Sequence, residues 1–221
     1  MDITILYEDN HLLMVEKPVN IPVQADSSGD SDLLSMLKQD IKVRYQKPGN
    51  VFLGLVHRLD RPVGGAMVFA KTSKAASRLS NEIRKQAMEK GYMAVVRGMP
   101  KQKNGRLEDY LLKDHRKNQV SVVSSGTKNA KKAVLDYRVV KSANGLSLLE
   151  VNLHTGRPHQ IRVQLAQMGT PIYGDQKYGQ HVNKPGQQIA LWANRLGVKH
   201  PTKDDFITVD CPPPAVYPWD L

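Results

Sequence analysis

The feature that most constrains this chain is a long central stretch with strand composition and no helical period. Between residues 92 and 153, "YMAVVRG", "VSVVS", "KAVLDYRVV" and "LSLLEVNL" are short aliphatic and β-branched runs, broken by "SSGTKN" and "SANG". Runs of that length and make-up between turn formers specify strands. Upstream, "ITILYED" and "HLLMVEK" add two more with a turn at Asp9-Asn10, and "VFLGLV" and "GAMVFAK" are apolar runs of strand length. Helical spacing occurs in three places. Ser31 stands as a cap before Leu33, Leu37 and Ile41, and Ala76, Leu79, Ile83 and Ala87 follow Ser73 on one face. Ile161, Leu165 and Met168 form a third stripe, with Thr155 or Gly156 as cap, Pro158 in the first turn and Gly169 as a left-handed end. "QIALWANRLGVKH" reads as a late strand or strand pair before an extended Pro-rich tail. Strand runs with about three helices predict an α+β fold on a mixed, largely antiparallel sheet with flanking helices. With no repeat or linker in view, residues 1–221 are expected to form a single domain.

Composition narrows the function classes. No run approaches the roughly 18 apolar residues that span a bilayer. The first residues, "MDITILYEDN", are acidic and strand-like and do not read as a signal peptide. The single cysteine, Cys211, excludes an intrachain disulfide and fits a reducing compartment. The expectation is a soluble, cytoplasmic protein, with a monomer as the default. The net charge of +11 is unevenly placed: residues 71–141 carry eighteen Lys/Arg against six Asp/Glu, while residues 1–70 carry seven against nine. A basic middle third is the footprint of a polyanion partner, or else a solvated lysine-rich face. At 6% aromatic residues, a large base-stacking platform is not expected.

The chemistry-bearing stretch is "GLVHRLDRPVGGAMVF", where one loop gathers His57, Arg58, Asp60 and Arg61. Arg58 and Arg61 favour the ionised form of Asp60, which suits nucleophilic attack or charge stabilisation. Pro62 stiffens the turn, and Gly64-Gly65 permits positive φ or close backbone approach. On spacing alone, a loop aspartate merely paired with a neighbouring arginine remains open. A second cluster, Arg157, His159, Gln160 and Arg162, lies at a helix start, where anions are favoured; a basic surface turn is its bland alternative. No Cys/His/carboxylate set has zinc spacing, so no metal site is expected. "HRLD" is similar to a kinase catalytic loop, but the Gly-rich loop with its strand lysine and the required asparagine are missing. No P-loop or dinucleotide fingerprint occurs.

"HRLDRPVGGAMVFAKT" resembles the "HRLD-x-x-T-S-G" signature of RluA-type pseudouridine synthases, and "HTGRPHQIRVQLAQMGTPIYGDQKYG" resembles that family's "TGR-x-HQIR" and "GD-x-x-YG". "EKPVNIPV" is similar to its early "KP-x-G" loop and "KGYMAVVRG" to its "K-x-Y-x-A-x-V-x-G" strand. The four motifs fall in the family's order over most of residues 12–180. The resemblance implies a long mixed sheet with helices against it and a central catalytic cleft. It also implies isomerisation of uridine in transfer or ribosomal RNA to its C-glycoside, without metal or nucleotide cofactor. Asp60 then falls on the catalytic aspartate, Tyr92 on the active-site tyrosine and Arg162 on the arginine that pairs with the aspartate. Arg58 falls on the loop arginine linked to extruding the base, and base flipping is expected.

The chain departs from the family pattern in three places. Val63-Gly64-Gly65 replace Thr-Ser-Gly, Asn20 stands where glycine is usual, and Trp192 stands where histidine is usual. The family's common N-terminal S4-type domain has no counterpart before the first motif. RNA contact is therefore expected from the catalytic domain: His57, Arg58, Arg157, His159 and Gln160 near the site, and Lys101, Lys103, Arg106, Lys113, Arg116, Lys117, Lys128, Lys131 and Lys132 on the basic segment. The competing readings are a non-catalytic RNA-binding relative using the same basic surface, and a metal-dependent hydrolase built on Asp60.

Overall fold

Asp9 makes the first turn. Its carboxylate accepts the backbone N–H of His11 at 2.7 Å and of Leu12 at 2.8 Å, closing β1 (Ile5–Glu8) onto β2 (Leu12–Lys17) as an antiparallel pair. The buried His200 holds the same carboxylate from the far end of the chain, with Nε2 2.7 Å from Oδ2. These strands belong to the first of two compact units in the computed structural model, which describes residues 3–221. This unit runs to Glu89 and includes Ala193–Pro212.

β2 pairs antiparallel with β4 (Gly64–Ala70), from Leu12↔Ala70 to Lys17↔Gly65, and β3 (Gly54–Leu55) also pairs with β4. The strand order continues β1-β2-β4-β10, where β10 (Leu191–Lys199) carries β11 (Phe206–Asp210) on its other side. Strands cover both edges of β4, and all seven of its residues are buried, which is why "GGAMVFA" reads as a continuous apolar run rather than an alternation. α1 (Leu33–Arg44) buries Leu33, Leu37 and Ile41 as expected, but its cap is Asp32, one residue beyond Ser31, accepting from the Ser35 N–H at 3.0 Å. α2 (Ser73–Arg84) is capped by Thr72 and buries Ala75 and Leu79. It ends before Ala87, the last residue of the expected stripe.

The second unit, Lys90–Trp192 with Pro213–Leu221, is built on an antiparallel sheet whose strand order departs from chain order. Its strands are β5 (Glu89–Arg97), β6 (Asn104–Asp114), β7 (Gln119–Val123), β8 (Lys131–Ala143) and β9 (Leu146–Leu153), in the order β5-β9-β8-β6-β7. "SANG" makes the two-residue hairpin between β8 and β9: Ala143↔Leu146 closes it, and Asn144 and Gly145 have φ of 52° and 74°. That is the paired positive φ a tight hairpin needs. α3 (Gln160–Gln167) sends Val163 into a cluster with Leu111, Val120 and Ala133 of β6, β7 and β8. Burial of such a side chain contributes about 1.5–3 kcal/mol.

Two strands escape the sequence reading. β6 alternates half-buried and exposed residues, and its Arg106, Glu108, Asp109, Lys113 and Asp114 hide the period-2 apolar face. β11 is an edge strand of five residues, mostly exposed. The start of α3 also shifts. Thr155 and Gly156 lie ahead of it, Pro158 sits in a turn, and the residue at the N-cap is His159 in the left-handed region (φ 51°). Gly169 does take the left-handed conformation expected of it, with φ 89°. Every strand pair with a described register is antiparallel, and the fold is α+β with a largely antiparallel sheet and, among the described residues, three helices. Among the described residues no helix is long and apolar enough to cross a membrane.

Candidate active site

The loop between β3 and β4 is held from beneath. Lys17, with zero relative exposure, ends β2 opposite Gly65 and directs its ammonium at three carbonyls: Val63 at 2.7 Å, Pro18 at 2.8 Å and Arg61 at 3.0 Å. Two of those acceptors bracket Pro62, one and three residues after Asp60. Burial pulls the Lys17 ammonium down to about 7; the Asp60 carboxylate opposes that pull and the Arg61 charge adds to it. Asp60, half-buried, turns the chain through its own carbonyl, which accepts the Val63 N–H at 2.9 Å.

Each neighbour of Asp60 has a separate task. His57 accepts the Val68 N–H on Nε2 at 3.0 Å, which places the ring proton on Nδ1 and pins the loop to β4. Arg58 is exposed while Leu59 is buried, so the arginine leaves the core side of the loop. Arg61 reaches back to the early loop, donating to the Asn20 carbonyl at 3.1 Å and the Ser28 hydroxyl at 3.2 Å and pairing with Asp30. Asn20 takes φ 64°, the left-handed conformation that lets it replace glycine. Gly65 has φ 114°, and a Cβ there would lie 2.3 Å from the Ala193 carbonyl oxygen. A side chain at 65 is excluded twice over, by dihedral and by space.

In the second unit, Tyr92 lies half-buried on β5, paired with Val151 of β9. The α3 region braces itself internally. The buried Gln160 donates to the Val134 carbonyl at 3.1 Å, and its Oε1 accepts from the Thr155 hydroxyl at 2.8 Å and the Arg157 N–H at 3.0 Å. Thr155 Oγ1, expected to cap the helix, instead accepts the Val134 N–H at 2.8 Å. His159 Nδ1 lies 2.6 Å from the Tyr178 hydroxyl, which also accepts the Val120 N–H at 2.9 Å. Arg157 donates from Nε to the Lys132 carbonyl at 2.9 Å.

Arg162 is buried and bidentate on Asp175, with Nε–Oδ2 and Nη2–Oδ1 both 2.8 Å. Burial raises the Asp175 carboxyl. The Arg162 bonds and the backbone N–H groups of Lys177 and Tyr178 outweigh it and hold the carboxyl below the ordinary range. Tyr178 closes the other side, its ring centroid 5.3 Å from the Arg162 guanidinium carbon. The fork fixes one edge of the guanidinium and leaves Nη1 on the opposite edge. Asp175 and Tyr178 are the "GD-x-x-YG" residues, so the signal for them was present in the motif that follows "HQIR". Lys17 was likewise present in "KP". Neither signal said which atoms these side chains would hold.

The basic segment divides into two sets. Arg106 forks onto Asp136, which also binds His154 at 2.6 Å, and Lys132 pairs with Glu108 at 2.9 Å. Lys101 and Lys103 lie in the β5–β6 connection and Arg116 and Lys117 at the tip of the β6–β7 hairpin. Lys128 and Lys131 sit between β7 and the start of β8. Among the described residues this second set has no carboxylate partner.

The model of the family described as RNA pseudouridylate synthase matches residues 11–167. An uncharacterized RNA pseudouridine synthase of Bacillus subtilis, YhcT, is 36% identical over 217 residues, 97% of this chain and 70% of that protein. Ribosomal large subunit pseudouridine synthase D of Zymomonas mobilis is 32% identical, covering 95% of this chain and 69% of its own. The solved structure of human RNA pseudouridylate synthase domain containing 4 superposes with a TM-score of 0.80 at 24% identity, over 96% of this chain and 88% of that one, and shows the same fold. The lysine clamp under the β3–β4 loop, the Arg162–Asp175 fork and the order of the motifs thus fall within one lineage: this chain belongs to the RNA pseudouridylate synthase family, whose members are isomerases.

Proposed function

We propose that the protein isomerises specific uridines of a structured RNA, transfer or ribosomal, with Asp60 as the catalytic carboxylate acting on a flipped nucleotide. The observation that carries this reading is the Lys17 clamp, which spends a buried charge on fixing the turn that presents Asp60. Such a cost is repaid where one carboxylate must be held in one place.

In this reading the uracil leaves its stack before the glycosidic bond is broken, and stacking and pairing energy of a few kcal/mol is lost. Asp60 attacks C1′, attacks C6, or takes the C2′ proton. The N1–C1′ bond breaks, the C5–C1′ bond forms, and the C5 proton departs to restore the ring. No external energy source is required, because both fragments stay bound. Tyr92 stacks on the flipped base and assists removal of the C5 proton. Arg162, aimed by Asp175, is the arginine that pairs with Asp60. Arg58 fills the gap left by the extruded base. Arg157, with the unpaired cations among Lys101, Lys103, Arg116, Lys117 and Lys131, meets phosphates. His57, His159 and Gln160 serve RNA binding by shaping the loops that carry these groups. The enzyme is taken as monomeric and cytoplasmic, with residues 1–221 acting as one catalytic domain without metal or cofactor.

Release of the C5 hydrogen from uridine-labelled cellular RNA tests this. Wild type releases it and Asp60→Asn does not, with at least a thousandfold loss expected from removing a nucleophile or its charge. Equal release by the two proteins refutes the assignment.

A further inference from the structure

Three cations on the second unit's sheet have acids beside them: Arg106 has Asp136, Lys132 has Glu108, and Arg138 has Glu150. Lys90 and Arg157 have each other instead. Lys90 enters β5 two residues before Tyr92 and on the same face of the strand, which sets their Cα atoms about 6.6 Å apart. Its amine lies against the turn before α3: a Cβ built on Gly156 would sit 3.3 Å from Lys90 Nζ. Burial depresses the Lys90 amine below the ordinary lysine range, and the Arg157 charge adds to the effect, so the two cations are neighbours. Among the described residues neither forms an ion pair.

Arg157 is also held in place. Its Nε bonds the Lys132 carbonyl and its backbone N–H bonds Gln160 Oε1, leaving the outer guanidinium edge pointing away from that anchor. Two like charges, one of them largely desolvated, repel each other and destabilise the fold unless an anion joins them. Gly156 is exposed and lacks a side chain where the anion would approach.

We propose that Lys90, Gly156 and Arg157 form a binding site for one RNA phosphodiester, placed one nucleotide's reach from Tyr92. The site rests on the RNA reading above and deepens it by naming where the backbone beside the flipped uridine is gripped. The Lys90 ammonium and the Arg157 guanidinium take the two non-bridging oxygens, and the missing Cβ at Gly156 admits the phosphorus. Binding supplies the counter-charge that the fold withholds.

Fluorescein-labelled octauridylate, titrated at several KCl concentrations, tests the site without relying on turnover. Lys90→Met and Arg157→Met should each weaken binding roughly tenfold and flatten the slope of log affinity against log salt by about 0.7, the single-strand increment for one phosphate. Lys90→Arg should keep the wild-type slope. Gly156→Asp, at an exposed position, should mimic the Lys90 loss by supplying an internal anion, and it keeps the test alive if the other variants unfold. Wild-type slopes in all three loss variants, weaker binding with an unchanged slope, or a wild type that does not bind the probe each overturn the site. A wild type that binds with the expected slope yet releases no C5 hydrogen from RNA leaves the site standing and fails the catalytic reading instead.

Discussion

A lysine with no exposure has to be explained by what it holds, and Lys17 holds the turn after Asp60. Its ammonium organises the loop through the carbonyls of Pro18, Arg61 and Val63. The arrangement has a pH signature. The folded value near 7 lies below the ordinary 10.5, so between those values the unfolded chain binds one more proton than the fold does. Stability therefore rises with pH across that window, because the cost of burying a charged group is progressively relieved. Below pH 7 the group is charged in both states and contributes no slope. Lys17→Met removes the titration and orphans three carbonyls, for a net loss of about 1–3 kcal/mol. Urea melts at pH 6.5 and pH 9 check both claims: wild type gains stability at the higher pH relative to the variant. Parallel profiles would show that Lys17 does not titrate in the fold.

At the scale of elements, β2, β4 and β10 meet at Gly65, and geometry there allows no substitute. Gly65→Ala places a methyl 2.3 Å from one backbone oxygen and 2.6 Å from one nitrogen of Ala193, at a φ that alanine disfavours. Neither contact is with a flexible side chain, so β4 or β10 must move. A loss of about 2–4 kcal/mol is expected, along with a displaced Asp60 turn. Thermal melting and C5-hydrogen release should fall together, and a stable but inactive variant would separate turn placement from sheet packing. The same elements show what the sequence made legible. "GGAMVFA" announced a buried strand because both its edges are covered, and the helix stripes announced α1 and α2 because each has one buried face. β6 stayed hidden because cross-strand ion pairs occupy the face where alternation would have been read. Asp60 stood out because its charges are adjacent in sequence. Lys17 lies 43 positions away, and only the register Lys17↔Gly65 brings its ammonium under the loop. Asp175 faces Arg162 across 13 residues of helix and turn, a distance no local spacing rule covers.

Over the whole molecule, the formal charge of +11 overstates the field that a polyanion meets. Arg106 and Lys132 are neutralised locally by Asp136 and Glu108, whereas Lys101, Lys103, Arg116, Lys117, Lys128 and Lys131 have no acidic partner among the described residues. Counterion release counts phosphates actually neutralised, so the second set should dominate the salt dependence of RNA binding. Reversing Lys103, Arg116 and Lys131 to glutamate together should weaken affinity for cellular RNA and flatten the salt slope by about 2, near 0.7–0.9 per lost phosphate contact. Reversing Arg106 and Lys132 instead sets like charges beside Asp136 and Glu108, which costs stability through strand repulsion before it costs RNA contacts. The two variants therefore predict opposite patterns in paired measurements of melting temperature and salt slope. Equal slopes in both would mean that the whole basic segment acts as a diffuse field, with local pairing irrelevant to how RNA is held.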